Sequence, residues 1–198
     1  LYLIATSEHA IAARFSNHLF KDDDLPKNFV GVSPCFRKEI GSHGVDERGL
    51  FRVHQFNKVE QFIFCKPQDS WKIFEELIKN AEEIFKKLKL PYRVVSICTG
   101  DIGTVAAKKY DLEVYMPREK TYKEVVSCSN CTSYQATRLN IKYVKDGKKE
   151  YLHTLNSTAI ATSRTLRAIL ENYQQKDGTV KVPAVLVPYM NGIKVLGK

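Results

Sequence analysis

Phe36-Arg37-Lys38-Glu39, then residues 40–51, then Arg52-Val53-His54-Gln55-Phe56-Asn57-Lys58-Val59-Glu60 form the most informative stretch of the chain. Side chains on a strand alternate between faces, so Arg37 and Glu39 share one face of a first predicted strand. Arg52, Phe56 and Glu60 share one face of a second. At about 3.4 Å per residue, four residues span roughly 13 Å, which lays out a cation, an aromatic plate and a carboxylate on the scale of a nucleotide carrying a small molecule. The connection holds Gly41, Gly44 and Gly49 with Asp46, Glu47 and Arg48, which predicts a mobile loop able to close over a ligand. The plain alternative is a solvated face with ion pairs among Arg37, Glu39, Arg52 and Glu60, since surface charge pairs contribute little.

Outward from this stretch, Phe74, Leu77, Ile78, Ala81, Phe85 and Leu88 recur at spacings of three and four with Glu and Lys between them. That predicts an amphipathic helix over 70–90, ended by Pro91. A second helix is predicted from about Ala159 to Gln175, with Leu166, Ile169, Leu170 and Tyr173 on one face and Gly178 closing it. Strands are predicted at 29–39, 52–65, 93–98, 112–116, 123–126, 133–144, 151–155 and 180–187, with a hairpin turn at Asp146-Gly147. The expected class is α+β, a mainly antiparallel sheet flanked by helices in one domain over 1–198.

Composition bounds the answer. The chain has 198 residues, 43% hydrophobic and 27% charged, with 31 Lys and Arg against 22 Asp and Glu, a formal charge of +9. A chain of this size buries roughly 70% of its extended surface, so a core forms without disulfides or metal, and disorder and a disulfide scaffold are excluded. Apolar runs such as 159–161 and 185–187 are far short of the roughly 20 residues of a membrane span, so no membrane partner is expected. The basic balance attracts anions without choosing among them. The lysines at 86, 87 and 89 and at 145, 148 and 149 read as solvated surface. Five cysteines without a secretory signal read as reduced thiols of a cytoplasmic protein. The opening Leu-Tyr-Leu-Ile is neither a signal peptide nor a natural start, so the chain is expected to be the later part of a longer one.

The pattern Phe-Arg-x-Glu, loop, Arg-x-x-x-Phe-x-x-x-Glu resembles the second signature motif of class II aminoacyl-tRNA synthetases. Three further segments narrow the resemblance to the seryl-tRNA synthetase family, on its archaeal or eukaryotic-like branch. Thr6-Ser7-Glu8 is similar to its Thr-x-Glu loop, and Glu124-Val125-Val126-Ser127-Cys128-Ser129-Asn130 to its acidic metal-and-ATP strand. Leu155-Asn156-Ser157-Thr158-Ala159-Ile160-Ala161-Thr162-Ser163-Arg164 is similar to its third motif, with Gly41-Ser42 and His54-Gln55-Phe56 agreeing as well.

The resemblance implies the class II catalytic fold, ATP and Mg²⁺ as cofactors, and L-serine and tRNA-Ser as partners of a full-length homodimer. Its first class II motif and N-terminal coiled-coil arm are expected to lie outside this chain. It implies ATP binding by Arg37, Lys38, Glu39, Arg52, Val53, Phe56, Glu124, Val125, Val126, Ser127 and Arg164. Arg37 takes the α-phosphate and the amino acid carboxylate, a task that suits a planar guanidinium; Glu39 accepts from the adenine amino group, and Phe56 and Arg164 sandwich the base. Arg52 and Arg164 meet the γ-phosphate, and Glu124 and Ser127 hold the Mg²⁺. Serine binding falls to Thr6, Ser7, Glu8, Arg37, Glu60, Asn156 and Thr158, with Glu60 and Thr158 on the hydroxyl. Arg37, Arg52 and Arg164 are the expected catalytic residues of a serine-tRNA ligase that forms seryl-adenylate and passes it to tRNA.

Two alternatives accompany this reading: an amino acid ligase charging a carrier protein, and a non-catalytic synthetase-like paralogue. The serine-type polar residues weigh against the first, and Arg37, Arg52, Arg164 and Glu124 against the second. Cys128-x-x-Cys131 reads as a structural strand end rather than a zinc site, because no second ligand pair follows. His9 and His54 read as packing residues or as residues supporting the site from behind, Trp71 as core, and Gly100-Asp101-Ile102-Gly103 as a turn beside the site.

Overall fold

The computed structural model describes residues 2–39 and 49–197. The predicted loop glycines Gly41 and Gly44, with Ser42, Asp46, Glu47 and Arg48, lie outside the described residues. Six strands form one antiparallel sheet in the order β2-β3-β9-β6-β5-β4. These are β2 (Lys27–Phe36), β3 (Gln55–Cys65), β4 (Tyr92–Ser96), β5 (Lys108–Met116), β6 (Thr121–Asn130) and β9 (His153–Ala161). The predicted class and sheet type are as observed.

Alternation along β3 explains how the sheet acquires two different faces. Gln61, Ile63 and Cys65 turn toward α2 (Ser70–Lys87), where Gln61 Nε2 donates to the Leu77 carbonyl at 3.3 Å. This helix buries Ile73, Phe74, Leu77, Ile78, Ala81 and Phe85 at spacings of one, three and four on a single stripe. They form the main core with Leu112, Val114, Val126, Cys128 and Leu155 of the sheet. On the other face of β3, Phe62 and Phe64 enter a second core under α1 (Ser7–Arg14) and α3 (Tyr134–Leu139), with Phe20, Ile141, Tyr143 and Leu152. Phe56, Lys58 and Glu60 lie further along that same face, where neither core covers them.

Two bulges set what the sheet presents there. Leu112 pairs with Val126 but Glu113 with Glu124, so Val125 is an extra residue in β6. Val59 pairs with Ile160 but Glu60 with Thr158, so Ala159 is extra in β9. An extra residue flips the alternation beyond it, so side chains three apart share a face.

The boundaries correct several expectations. β2 ends at Phe36, and Glu39 has φ 52°, so Arg37 and Glu39 are not on the strand. β3 begins at Gln55, so Arg52 precedes it. The predicted strand 133–144 is helix α3, a left-handed Asn140 (φ 51°) and the short β7 (Lys142–Lys145), whose hairpin partner is β8 (Lys148–Tyr151). The short side chain of Asn tolerates that conformation. β7 also pairs in parallel with β1 (Leu19–Phe20). β9 runs to Ala161, so the second long helix, α4 (Thr162–Tyr173), starts three residues later than the pattern suggested. Beyond β10 (Val180–Lys181), the predicted strand becomes a 3₁₀ segment, Ala184–Met190, after Pro183, and β11 (Val195–Leu196) pairs back on β10. Trp71 is 48% exposed rather than core.

Candidate active-site cleft

A cleft of about 510 Å³ opens on the face of the sheet left bare by the second core. β3 supplies Phe56, Lys58 and Glu60, β9 supplies Asn156, Thr158 and Ala161, and β6 supplies Glu124, Val125, Ser127 and Ser129. The two bulges are what bring Glu124 with Ser127, and Thr158 with Ala161, to one side. Helix ends close the rim, with Thr6, Glu8 and His9 from α1, Gln135 from α3 and Arg164 from α4, while Ile102 and Gly103 contribute from the expected turn.

At one end the polar groups are interlocked. The Thr6 hydroxyl caps α1 by accepting from the Glu8 amide at 3.4 Å. Glu8 Oε1 accepts from Gln135 Nε2 at 2.6 Å and Asn156 Nδ2 at 3.1 Å, and Gln135 Oε1 accepts from the Thr154 hydroxyl at 2.6 Å. Glu60 is 2% exposed; its Oε2 pairs with Lys58 Nζ at 2.5 Å and accepts from the Thr158 hydroxyl at 3.5 Å. Burial pushes the Glu60 carboxyl above its usual range, and Lys58 opposes that shift.

The other end collects cations and aromatic plates. The Arg37 amide donates to the His54 carbonyl at 2.9 Å, and His54 Nδ1 lies 3.1 Å from the Arg37 carbonyl oxygen, so the two arms remain paired beyond their strands. Arg37 Nε donates to the Ala5 carbonyl at 3.4 Å, and the guanidinium lies 5.3 Å from the centroid of the Phe56 ring. Arg52 pairs with Glu39 at 2.7 Å, one of the ion pairs of the plain alternative. Arg164 donates to the Glu124 carbonyl at 2.9 Å, faces its carboxylate at 3.4 Å and lies 4.7 Å over Phe51. Across from Ser127, Asp111 is buried with Oδ1 lacking a hydrogen-bond partner, and burial first, then Glu124, raises its carboxyl to about 6.

Of the residues expected from sequence, Arg37, Glu39, Arg52, Val53, Phe56, Glu124, Val125, Ser127 and Arg164 line the cleft with Thr6, Glu8, Glu60, Asn156 and Thr158. Lys38, Ser7 and Val126 are not among its lining. Lys38 is exposed, Ser7 is buried against Gly31, and Val126 joins the main core. Lys58, Phe51, Lys109 and Gln135 line the cleft without having been singled out. Lys58 was legible, since it stands two residues before Glu60 on the same face; Gln135 was hidden by the mistaken strand. His9 also lines the cleft rather than only packing. Cys128 and Cys131 are free and buried, their thiols pushed up to about 12, and the described residues hold no cluster of metal-ligating side chains. No described helix is long and apolar enough to cross a membrane.

Residues 1–173 match the family model described as tRNA synthetase class II core domain (G, H, P, S and T). A serine--tRNA ligase of Methanocella arvoryzae is 70% identical over 99% of this chain and 47% of its own length. The crystal structure of seryl-tRNA synthetase from Pyrococcus horikoshii complexed with ATP superimposes with a TM-score of 0.94 at 58% identity, over 98% of this chain and 44% of that one. The cytoplasmic serine-tRNA ligase of Naegleria fowleri in complex with AMP gives 0.93 at 52% identity, over 98% and 46%. The chain thus spans a little under half the length of the curated relatives it matches.

Proposed function

Since the chain belongs to the family of class II tRNA synthetase core domains, we propose that it is the catalytic domain of a serine-tRNA ligase, which activates L-serine with ATP and passes the seryl group to tRNA-Ser. The observation that carries this reading is the two-ended cleft: two carboxylates, the half-buried Glu8 and the buried Glu60, face one end, and the arginines Arg37, Arg52 and Arg164 gather at the other. The ammonium of serine goes to Glu8 beside Thr6, and the hydroxyl donates to Glu60 with Thr158 and Asn156 beside it. A site whose buried groups need a hydroxyl rejects the analogue lacking one by roughly 10⁴ to 10⁵.

The serine carboxylate oxygen attacks the α-phosphorus in line, a new P–O bond forms, and the bond to the pyrophosphate oxygen breaks. No residue serves as nucleophile. Arg37 aligns carboxylate and α-phosphate, Arg52 and Arg164 neutralise the leaving phosphates, and Phe56 supports the adenine whose amino group meets Glu39. Catalysis therefore rests on positioning and charge neutralisation. Val53 and Val125 line the walls without contributing charge, whereas Lys38, Ser7 and Val126 stand outside the lining.

Glu124 and Ser127 fit a Mg²⁺ ion by their chemistry, a carboxylate and a hydroxyl brought to one face by the bulge at Val125, with the unpartnered Asp111 Oδ1 opposite Ser127. When bound there, Mg²⁺ supplies further positive charge to the phosphate oxygens. The whole enzyme is proposed to be a cytoplasmic homodimer. Calorimetric titration with a non-hydrolysable seryl-adenylate analogue tests the site: tight binding that is lost with the alanyl analogue is expected, and equal affinity for the two contradicts it.

A further inference from the structure

We propose that Lys58 is a positioning residue for serine selectivity: it holds Glu60 as an ionised acceptor with one oxygen anchored and the other turned to the substrate hydroxyl. This rests on the assignment of Glu60 to that hydroxyl made above. Lys58 and Glu60 stand two apart on β3, on the same face, and their side chains are 8% and 2% exposed. The ammonium sits 2.5 Å from Glu60 Oε2, the same oxygen that accepts from Thr158 at 3.5 Å. Both fixed contacts therefore fall on Oε2. A buried carboxylate without a cation takes up a proton, and a protonated carboxyl becomes a donor on one oxygen and a weaker acceptor on the other.

The groups around Glu60 make Lys58 decisive. From α1, Glu8 raises its affinity for protons; from β6 the Cys128 thiol is neutral, its own ionisation opposed by burial and by Glu60; from β9, Thr158 offers only a hydroxyl. Lys58 is the cation paired with Glu60 among the described residues. It also lines the cleft without belonging to the end where the arginines gather, so its contribution falls on the amino acid and not on ATP.

The test is the pH dependence of serine and alanine KM in ATP–pyrophosphate exchange, on the wild-type protein, Lys58→Met and Lys58→Arg. The expected result for Lys58→Met is a serine KM raised roughly tenfold to a hundredfold at pH 6 to 7. The defect narrows as pH rises and Glu60 ionises, alanine KM and ATP KM stay near wild type, and Lys58→Arg restores most of the loss. A parallel, pH-independent rise for serine and alanine overturns the inference, because it marks a merely structural lysine. A wild-type protein that exchanges with no amino acid overturns the functional reading and this inference with it; a wild-type protein active with serine isolates the inference. Should Lys58→Met not fold, ¹³C NMR of δ-labelled glutamate in the wild-type protein, assigned with Glu60→Gln, decides. Glu60 ionised at pH 7 supports the inference, and Glu60 protonated at pH 7 overturns it.

Discussion

Arg52 Nη1 lies 2.7 Å from Glu39 Oε2, joining the end of the first arm to the start of the second across the connection between β2 and β3. Neither residue is on a strand, so the pair, rather than the sheet register, holds these two side chains at the cleft. With 31% of the Arg52 side chain exposed, the pair contributes at most about 1 kcal/mol to folding. Arg52→Ala is therefore expected to leave the thermal midpoint within a few degrees of wild type. ATP KM should rise roughly tenfold or more as the phosphate contact is lost. Calorimetric unfolding and exchange kinetics check the two halves, and a large loss of stability with unchanged ATP KM would reverse the assignment.

Gly31 on β2 meets the N-terminus of α1 too closely for a side chain. A Cβ there would stand 2.4 Å from Ser7 Oγ and 2.6 Å from Ser7 Cβ. Gly31→Ala must push α1 off the sheet or strain it, at about 1 to 3 kcal/mol. Because Thr6 and Glu8 flank Ser7, serine KM is expected to rise with little change in ATP KM. Urea unfolding and substrate titration measure both effects; a neutral Gly31→Ala would mean that α1 is free to yield.

The main fold-defining elements were legible because their patterns are strong. The stripe on α2 and the alternation from Phe56 to Phe64 each follow from burying one side of an element, and both survive in the structure. The short pieces were not. α3 reads as a strand because Tyr134, Thr137 and Ile141 suit either state, and tertiary contact of Ala136 beneath the sheet settles it. The bulges left no periodic signal, yet Glu124 and Ser127 share a face only through one of them. Glu39 and Arg52 line the cleft by a route other than strand alternation, so the strand geometry expected for them was wrong. Lys58 is readable from its place two residues before Glu60 on one strand face; Gln135 is not readable without the fold.

Reagent accessibility distinguishes the cysteines. Cys98 is exposed, whereas Cys35, Cys65, Cys128 and Cys131 are buried. Burial holds the thiols of Cys65, Cys128 and Cys131 up at about 12, which leaves about one part in 10⁴ as thiolate at pH 8. A thiol-specific reagent at pH 8 is expected to modify one cysteine rapidly in the native protein and all five after denaturation. Rapid modification of Cys131 would show that the amino acid end of the cleft opens.

His153 accepts or donates at Nδ1 with the Ser70 hydroxyl at 2.9 Å, and burial lowers its pKa below the ordinary 6.5. The unfolded chain then binds the proton more readily than the folded one. His153 contributes stability that is present above pH 6.5 and lost as pH falls through its lowered folded value. Unfolding free energy measured from pH 8 to pH 5 is expected to fall, and His153→Gln should flatten part of that slope. A slope identical in both proteins would remove His153 as a cause.

This cleft is proposed to activate serine. Serine-dependent exchange of labelled pyrophosphate into ATP tests it most directly, with threonine, alanine and glycine as controls and Arg37→Ala as the blank. Exchange is expected with serine, with at least roughly 10³-fold weaker exchange with alanine and loss of the serine signal in Arg37→Ala. Exchange that is equal among the four amino acids, or that survives Arg37→Ala, would contradict it.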